Sequence, residues 1–319
     1  MRALICGIGG QDGGYLAKFL LDKGYDVYGS SRDIYLMSGR GLHHLGIANR
    51  VSLRSMALND FRSVLSVLAA VNPDEVYNLA GQTSVGLSFD QPVETMESIA
   101  TGTLNLLEAI RFFNTSIRFY NASSSECFGD TGTIPADENT AFRPCSPYAV
   151  AKATAFWQVA NYRDAYALHA SSGILFNHES PMRPERFVTS KIIACACRIA
   201  QGSNEKLTLG DIRIERDWGW APDYVEAMWM MTQQPKGGDF VVATGRTVSL
   251  AYFVERVFAE LDLDWKVHVT SLPELYRPSE IRASHANPAR THQVLGWHHK
   301  LDIDDVVKEM VKHQMGKLS

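Results

Sequence analysis

Short apolar runs alternate along this chain with stretches whose apolar residues recur three and four apart. "ALICGI" (residues 3–8) has the pattern of a buried strand. Tyr15 to Lys23 predicts a helix with Leu16, Phe19 and Leu20 on one face, stopped by Gly24. "YDVYGS", "EVYNLA", "IRFYNA" and "SSGILF" predict further strands. Between them "SVLSVLAAV", "TGTLNLLEAIRFF" and residues 147–166 predict helices. Strands separated by helices pair in parallel through right-handed crossovers, so the expected fold class is α/β, a Rossmann-type doubly wound parallel sheet. After Asn177 the rhythm changes. "HESPMRPERF" is rich in proline and charge and reads as a functional loop. Helices are expected at 188–202, 224–234, 250–261 and 303–315, with one strand, "DFVVATG", among them. The expected organisation is a dinucleotide-binding domain over 1–178, to which parts of 212–247 return. A smaller C-terminal α/β substrate-binding lobe is expected from 179–211 and 248–319.

With 319 residues, 45% of them hydrophobic and 21% charged, the chain can bury a large core. A net charge of −4 argues against a nucleic-acid partner held by bulk charge. Five cysteines without paired spacing fit a reducing, cytoplasmic setting. Cys195 and Cys197 point apart on a helix, unlike metal ligands. No apolar run approaches the ~20 residues of a membrane span. The N-terminus mimics a short signal peptide, but Gln11 and Asp12 interrupt it, and it reads better as a first strand entering a turn.

That turn, "GIGGQDGGY", places Gly7, Gly10 and Gly13 three apart between a strand and a helix. Glycines there allow a pyrophosphate to approach backbone N–H groups at a helix N-terminus. The end of the second strand speaks to the cofactor. Arg32 favours NADP, through a ribose 2′-phosphate, while Asp33 keeps NAD possible as an acceptor for the 2′-hydroxyl. Further on, "SPYAVAKATAF" sets Tyr148 and Lys152 one helical turn apart. A tyrosine is a poor base at neutral pH, and nearby cations are expected to lower its pKa. It then takes a proton from an alcohol while hydride leaves the same carbon. "ASSSECFG" ends a strand in serines and follows them with Glu126. His43, His44, His298 and His299 lie in polar surroundings and are expected at the surface.

These segments, with "VYNLAGQTSVGLSF", "GILFNHESP", "RDWG", "DYVEAMWMMTQQ" and "RPSEI", resemble the GDP-mannose 4,6-dehydratases over nearly the whole chain. That family belongs to the extended short-chain dehydrogenases/reductases. The resemblance implies NADP as cofactor, a GDP-linked sugar as substrate, and a homodimer or homotetramer pairing through the Tyr148 helix. It implies Tyr148 as the base on the sugar C4 hydroxyl, supported by Lys152, with Ser124 in place of the family's threonine. Glu126 falls where the family has the carboxylate that removes the C5 proton before water leaves C6. A cofactor site is implied at Gly7, Ile8, Gly9, Gly10, Gln11, Asp12 and Gly13, at Arg32, Ala57 and Leu58, at Leu79, Ala80, Gly81, Gln82 and Thr83, and at His178 and Arg183. Substrate contacts are implied for Ser84, Asn177, Lys191, Arg216, Arg277 and Glu280.

The chain departs from the family pattern at several of these places. "DIYLMSGRGLHHLG" replaces a longer Arg/Ser-rich segment. Ala57 stands where the family has an aspartate and Glu94 where it has a tyrosine, and Met182, Pro184 and Ser190 replace Arg, Gly and Arg. The lost cations leave open a changed sugar, such as a GDP-heptose, or a changed nucleotide. Two other readings stay open. One is a 4-keto-sugar reductase or C4 epimerase, which needs no base on C5. The other is a dinucleotide-binding sensor, which needs no proton-transfer chain.

Overall fold

The protein is described by a computed structural model covering residues 1–276 and 279–318. Its strands are β1 (Arg2–Cys6), β2 (Asp26–Ser31), β3 (Ser52–Ser55), β4 (Glu75–Asn78), β5 (Arg118–Ser124), β6 (Ala170–Leu175), β7 (Asn177–Glu179), β8 (Leu207–Leu209), β9 (Glu215–Trp220), β10 (Asp239–Val242), β11 (Thr247–Ser249) and β12 (Val269–Ser271). Seven of them form one parallel sheet in the order β10-β6-β5-β4-β1-β2-β3. The order reverses between β1 and β4, and open α/β sheets bind ligands beyond the carboxyl ends of the strands at such a point. The doubly wound α/β sheet expected from the alternating pattern is present.

The helices that frame it are α1 (Gln11–Asp22), α2 (Arg40–His44), α3 (Phe61–Val71), α4 (Val85–Asp90), α5 (Pro92–Met96), α6 (Gly102–Phe113), α7 (Pro147–Tyr166), α8 (Val188–Ala200), α9 (Ala221–Gln233), α10 (Leu250–Ala259), α11 (Trp265–His268), α12 (Ala289–Leu295) and α13 (Ile303–Leu318). One face of the sheet packs Ile5, Tyr77 and Tyr120 against Leu16 and Leu20 of α1 and Tyr224 and Met228 of α9. The other packs Leu4, Val76 and Phe119 against Leu68 of α3, Leu106 and Ile110 of α6 and Val159 of α7. Because both faces are covered, the inner strands read as continuous apolar runs rather than alternating ones. A second core lies beyond Asn177. There Ile192 of α8, Phe253 and Phe258 of α10 and Val306 of α13 close over β8 and β9. β7 and β11 flank β9, and β8 pairs with β12.

Three local features differ from the sequence expectation. Helix α1 starts at Gln11, four residues before Tyr15, so Gly13 and Gly14 lie in its first turn. Glycine there serves close approach, and its poor helix propensity hides the helix start from the pattern. Residues Glu97–Thr101 form a π-helical turn joining α5 to α6, and Ile99 packs where a Cβ on Gly81 would come within 2.7 Å of it. His299 is only partly exposed, whereas His43, His44 and His298 lie at the surface as expected. Among the described residues, no helix is long and apolar enough to cross a membrane.

Candidate active site

Two adjoining clefts open at the carboxyl edge of the sheet. One, of about 440 Å³, runs along the glycine turn to the end of β2. Gly7 has φ +85°, and a Cβ on it would come within 2.9 Å of the Ala80 backbone. A Cβ on Gly13 would overlap the Gly7 carbonyl oxygen, which already accepts a hydrogen bond from the Gly10 N–H at 3.0 Å. The turn is thus closed by backbone contact, with the Gly7 and Ile8 N–H groups donating to the Ser30 carbonyl, and it runs straight into the N-terminus of α1, the end of a helix that suits a pyrophosphate. Gly7, Gly10, Arg32, Leu58, Leu79, Ala80, Gly81, Gln82 and Thr83 line this cleft. A dinucleotide fits the donor set and the room.

Other expected cofactor residues sit around this cleft without lining it. Ile8 is fully buried beneath Gly29, so only its backbone can serve a ligand. Gly9 faces Met37. The Ala57 N–H donates to the Ser63 hydroxyl at 3.0 Å, and Met56 and Asn59 on either side line the cleft with Leu58 instead.

The second cleft, about 300 Å³, holds the expected catalytic group. β5 delivers Ser124 to its floor. The Ser124 hydroxyl accepts from the Glu126 N–H at 3.3 Å and so starts the short 3₁₀ turn Ser125–Phe128 that carries Glu126 into the cleft. Past that turn Gly129 (φ +69°) sits where a Cβ would overlap the Arg143 carbonyl. Helix α7 brings Tyr148 and Lys152. It is capped by Ser146, which accepts from the Ala149 N–H at 3.1 Å, and opened by Pro147 at its first position. Lys152 is 7% exposed and donates to the Ala122 carbonyl of β5 at 2.7 Å. Burial lowers its pKa to about 8.

The lowered phenol expected for Tyr148 is not produced by the chain's own groups. Burial pushes its pKa up, and a hydrogen bond with Ser124 offsets only part of this. The Lys152 ammonium is 5.9 Å from the Tyr148 ring centroid and is held by the Ala122 carbonyl. Desolvation therefore outweighs the lysine.

Asp12, from the first turn of α1, meets His178 in the wall of the catalytic cleft. His178 hydrogen-bonds the Phe176 carbonyl through Nδ1 at 2.7 Å and the Asp12 carboxylate through Nε2 at 3.0 Å. A carbonyl and a carboxylate only accept, so the arrangement suits an imidazolium, which can donate from both ring nitrogens. Burial by itself opposes both charges. It is outweighed by their mutual attraction, so His178 lies above its ordinary value and Asp12 is brought down to about 2. The Gln11 amide adds bonds to Asp12 at 3.1 Å and to the His178 carbonyl at 3.2 Å.

The expected substrate residues divide. Ser84, Asn177 and Arg216 line the catalytic cleft, as does Arg183, which pairs with Glu179 at 3.3 Å. Arg216 reaches Glu280 at 3.2 Å. Lys191 is not brought to the cleft. It donates to the Thr208 carbonyl at 2.7 Å, because its place on α8 faces β8. Arg277 lies outside the described residues. Sequence reasoning missed Trp218, Phe187 and Arg186. Arg186 is exposed, lines both clefts and pairs with no carboxylate among the described residues. Its only signal was its place in the charged "MRPERF" loop. It restores a cation to a loop that lacks those expected at Met182 and Ser190.

Residues 4–310 match the family described as GDP-mannose 4,6 dehydratase. The chain is 44% identical to GDP-mannose 4,6 dehydratase 1 of Arabidopsis thaliana, over 98% of this chain and 89% of that protein. It belongs to the GDP-mannose 4,6-dehydratase family, a family of hydro-lyases. Two solved structures share the fold of this family member. UDP-glucose 4-epimerase of Thermus thermophilus in complex with NAD superposes with a TM-score of 0.87 at 24% identity, covering 99% of each chain. RMD from Pseudomonas aeruginosa complexed with NADPH gives 0.82 at 22% identity, again over 99% of each.

Proposed function

We propose that this protein is a nucleotide-sugar 4,6-dehydratase acting on GDP-mannose or a close relative such as a GDP-heptose, and that it forms the 4-keto-6-deoxy sugar. The observation that carries the reading is the convergence of Ser124, Glu126, Tyr148 and Lys152 on one cleft that adjoins the glycine-turn cleft. When bound, a nicotinamide dinucleotide supplies the redox chemistry, taking hydride from C4 and returning it to C6. Ser124 hydrogen-bonds the sugar O4 and orients it toward the Tyr148 hydroxyl. Tyr148 takes the O4 proton; the Lys152 charge favours its phenolate, and the charge of an oxidised nicotinamide, once bound, would add to that. The C4 ketone acidifies the C5 proton, which Glu126 removes and then delivers to O6 as water leaves; the proton that Tyr148 took from O4 balances the one C5 regains once C6 is reduced, so both residues end in their starting states. A serine without a partner base does neither, which is why Glu126 argues against a plain reductase or epimerase.

In this reading Arg216, with Arg186 lining the same cleft, is assigned to the nucleotide diphosphate, while Arg183 remains assigned to the cofactor. We assign the sheet domain, residues 1–178 with parts of 212–247, to the dinucleotide and the remainder to the sugar nucleotide. A homo-oligomer through α7 is part of this reading, supported by the exposed Val150 and Trp157 on its outer side. Light scattering on the purified chain tests that part.

The reaction is tested by incubating the protein with GDP-mannose and a nicotinamide dinucleotide. A 4-keto-6-deoxy product without net cofactor consumption is expected. Net oxidation of reduced cofactor by a 4-keto sugar would instead support a reductase.

A further inference from the structure

Glu94 and Arg32 face each other at the far end of the glycine-turn cleft. Arg32 follows the last residue of β2, and its Nη2 lies 2.5 Å from Oε1 of Glu94 on α5. Both side chains are solvent-accessible, 74% and 43% respectively, and both line the cleft. Glu97, three residues on, lines it as well. The other cation of this cleft, Arg186, is shared with the catalytic cleft, as are Leu79 and Thr83, so it belongs to the opposite end. The end beside β2 therefore presents one guanidinium against two carboxylates.

We propose that Glu94 sets the cofactor preference of this protein, and sets it toward the dinucleotide with a free ribose 2′-hydroxyl, NAD, rather than toward NADP. The inference rests on the dinucleotide reading of this cleft. In a doubly wound fold the adenosine ribose lies at the end of the second strand, which is where Arg32 stands. A 2′-phosphate carries close to two negative charges and needs that guanidinium. Glu94 engages only Nη2 of Arg32, so a phosphate can reach the remaining N–H groups, but only by placing its charge beside the Glu94 carboxylate, with Glu97 lining the same cleft. The attraction that Arg32 offers is then offset by like-charge repulsion. A 2′-hydroxyl meets no such obstacle. It donates to the Glu94 carboxylate, which has oxygens for both the hydroxyl and Arg32, so the ion pair stays intact.

Asp33, at the sequence distance where an acid for the ribose is expected, is otherwise engaged. Its Oδ1 accepts from the Tyr35 N–H at 2.8 Å, and its side chain does not line the cleft. The ribose acid has moved from the second strand to a helix on the other wall.

The test is equilibrium binding to the full chain freed of carried-over nucleotide, with NAD and NADP titrated separately and followed by quenching of tryptophan fluorescence. Wild type is expected to bind NAD about tenfold more tightly than NADP, the scale of one unfavourable charge contact. Glu94→Gln is expected to tighten NADP by roughly tenfold and to change NAD by less than about threefold. Adding Arg32→Ala to that variant removes the gain, because the gain comes from the guanidinium set free. A purely structural role for Glu94 would move both cofactors together. Tighter binding of NADP than NAD by wild type overturns the inference, and so does a ratio that Glu94→Gln leaves unchanged. Binding of neither nucleotide overturns the dinucleotide reading of the cleft as well.

Discussion

In the catalytic cleft, Tyr148 and Lys152 are less than a tenth exposed, and Lys152 is held by a strand carbonyl. At the β2 end of the neighbouring cleft, Arg32 is 74% exposed and is held by one carboxylate. Burial makes the first region rigid and electrostatically strong, so small displacements of charge shift pKa values widely. Exposure makes the second weak in stability terms. An accessible ion pair contributes about 0–1 kcal/mol, so its members can change without endangering the fold. The contrast matches the two proposed roles, reaction in the buried region and choice of cofactor in the exposed one.

The most severe break of this comparison is Glu126→Gln. It should lower turnover by about 10²–10⁴-fold, the usual worth of a general acid–base group. Oxidation at C4 should persist, visible as transient absorbance of reduced cofactor after mixing with substrate. Full dehydratase activity in this variant would remove the assigned role. Next is Gly13→Ala, whose Cβ would overlap the Gly7 carbonyl. Neither partner is a flexible side chain, so about 3 kcal/mol of stability should be lost, seen in urea unfolding, together with dinucleotide binding. A variant of wild-type stability would show that the turn yields.

Asp12→Asn should cost about 2 kcal/mol, the scale of a hydrogen bond to a charged partner. Its pH dependence sharpens the comparison. The Asp12 pKa is lowered from 3.8 to about 2, so its contribution is present above pH 3.8 and is lost as pH falls toward 2. His178 is raised, so its contribution is present below pH 6.5 and is lost as pH rises through the folded value. The melting-temperature gap between wild type and Asp12→Asn should therefore narrow from pH 4 toward pH 2. A gap that stays constant there would mean that the pair is not ionised. Smallest is Arg32→Ala, which should change thermal stability by less than about 1 kcal/mol. A larger loss would place Arg32 with the structural charges rather than the selective ones.

Legibility follows the same division. The Tyr148 helix is readable to the residue, Pro147–Tyr166, because Ser146 and Pro147 mark its start. The start of α1 is misplaced by pattern, since glycines required for close approach look locally like a loop. β3, β7 and the π-helical turn escape it because three to five residues carry too little periodicity. Lys191 is expected at the substrate from resemblance alone, and only the rotation of α8 shows that it reaches Thr208.

By itself the sequence determined the parallel sheet, the glycine turn and the Ser–Glu and Tyr–Lys pairs. Hydrophobic period and local spacing are properties of neighbouring residues. The tertiary structure alone decided that Asp12 meets His178, that Arg186 borders two clefts and that Glu94 holds Arg32. These partners stand 166 residues apart in the first case and 62 in the last. A charge in sequence has no partner until the chain has folded around it, and whether it drives chemistry or selects a ligand depends on that partner and on how much water remains beside them.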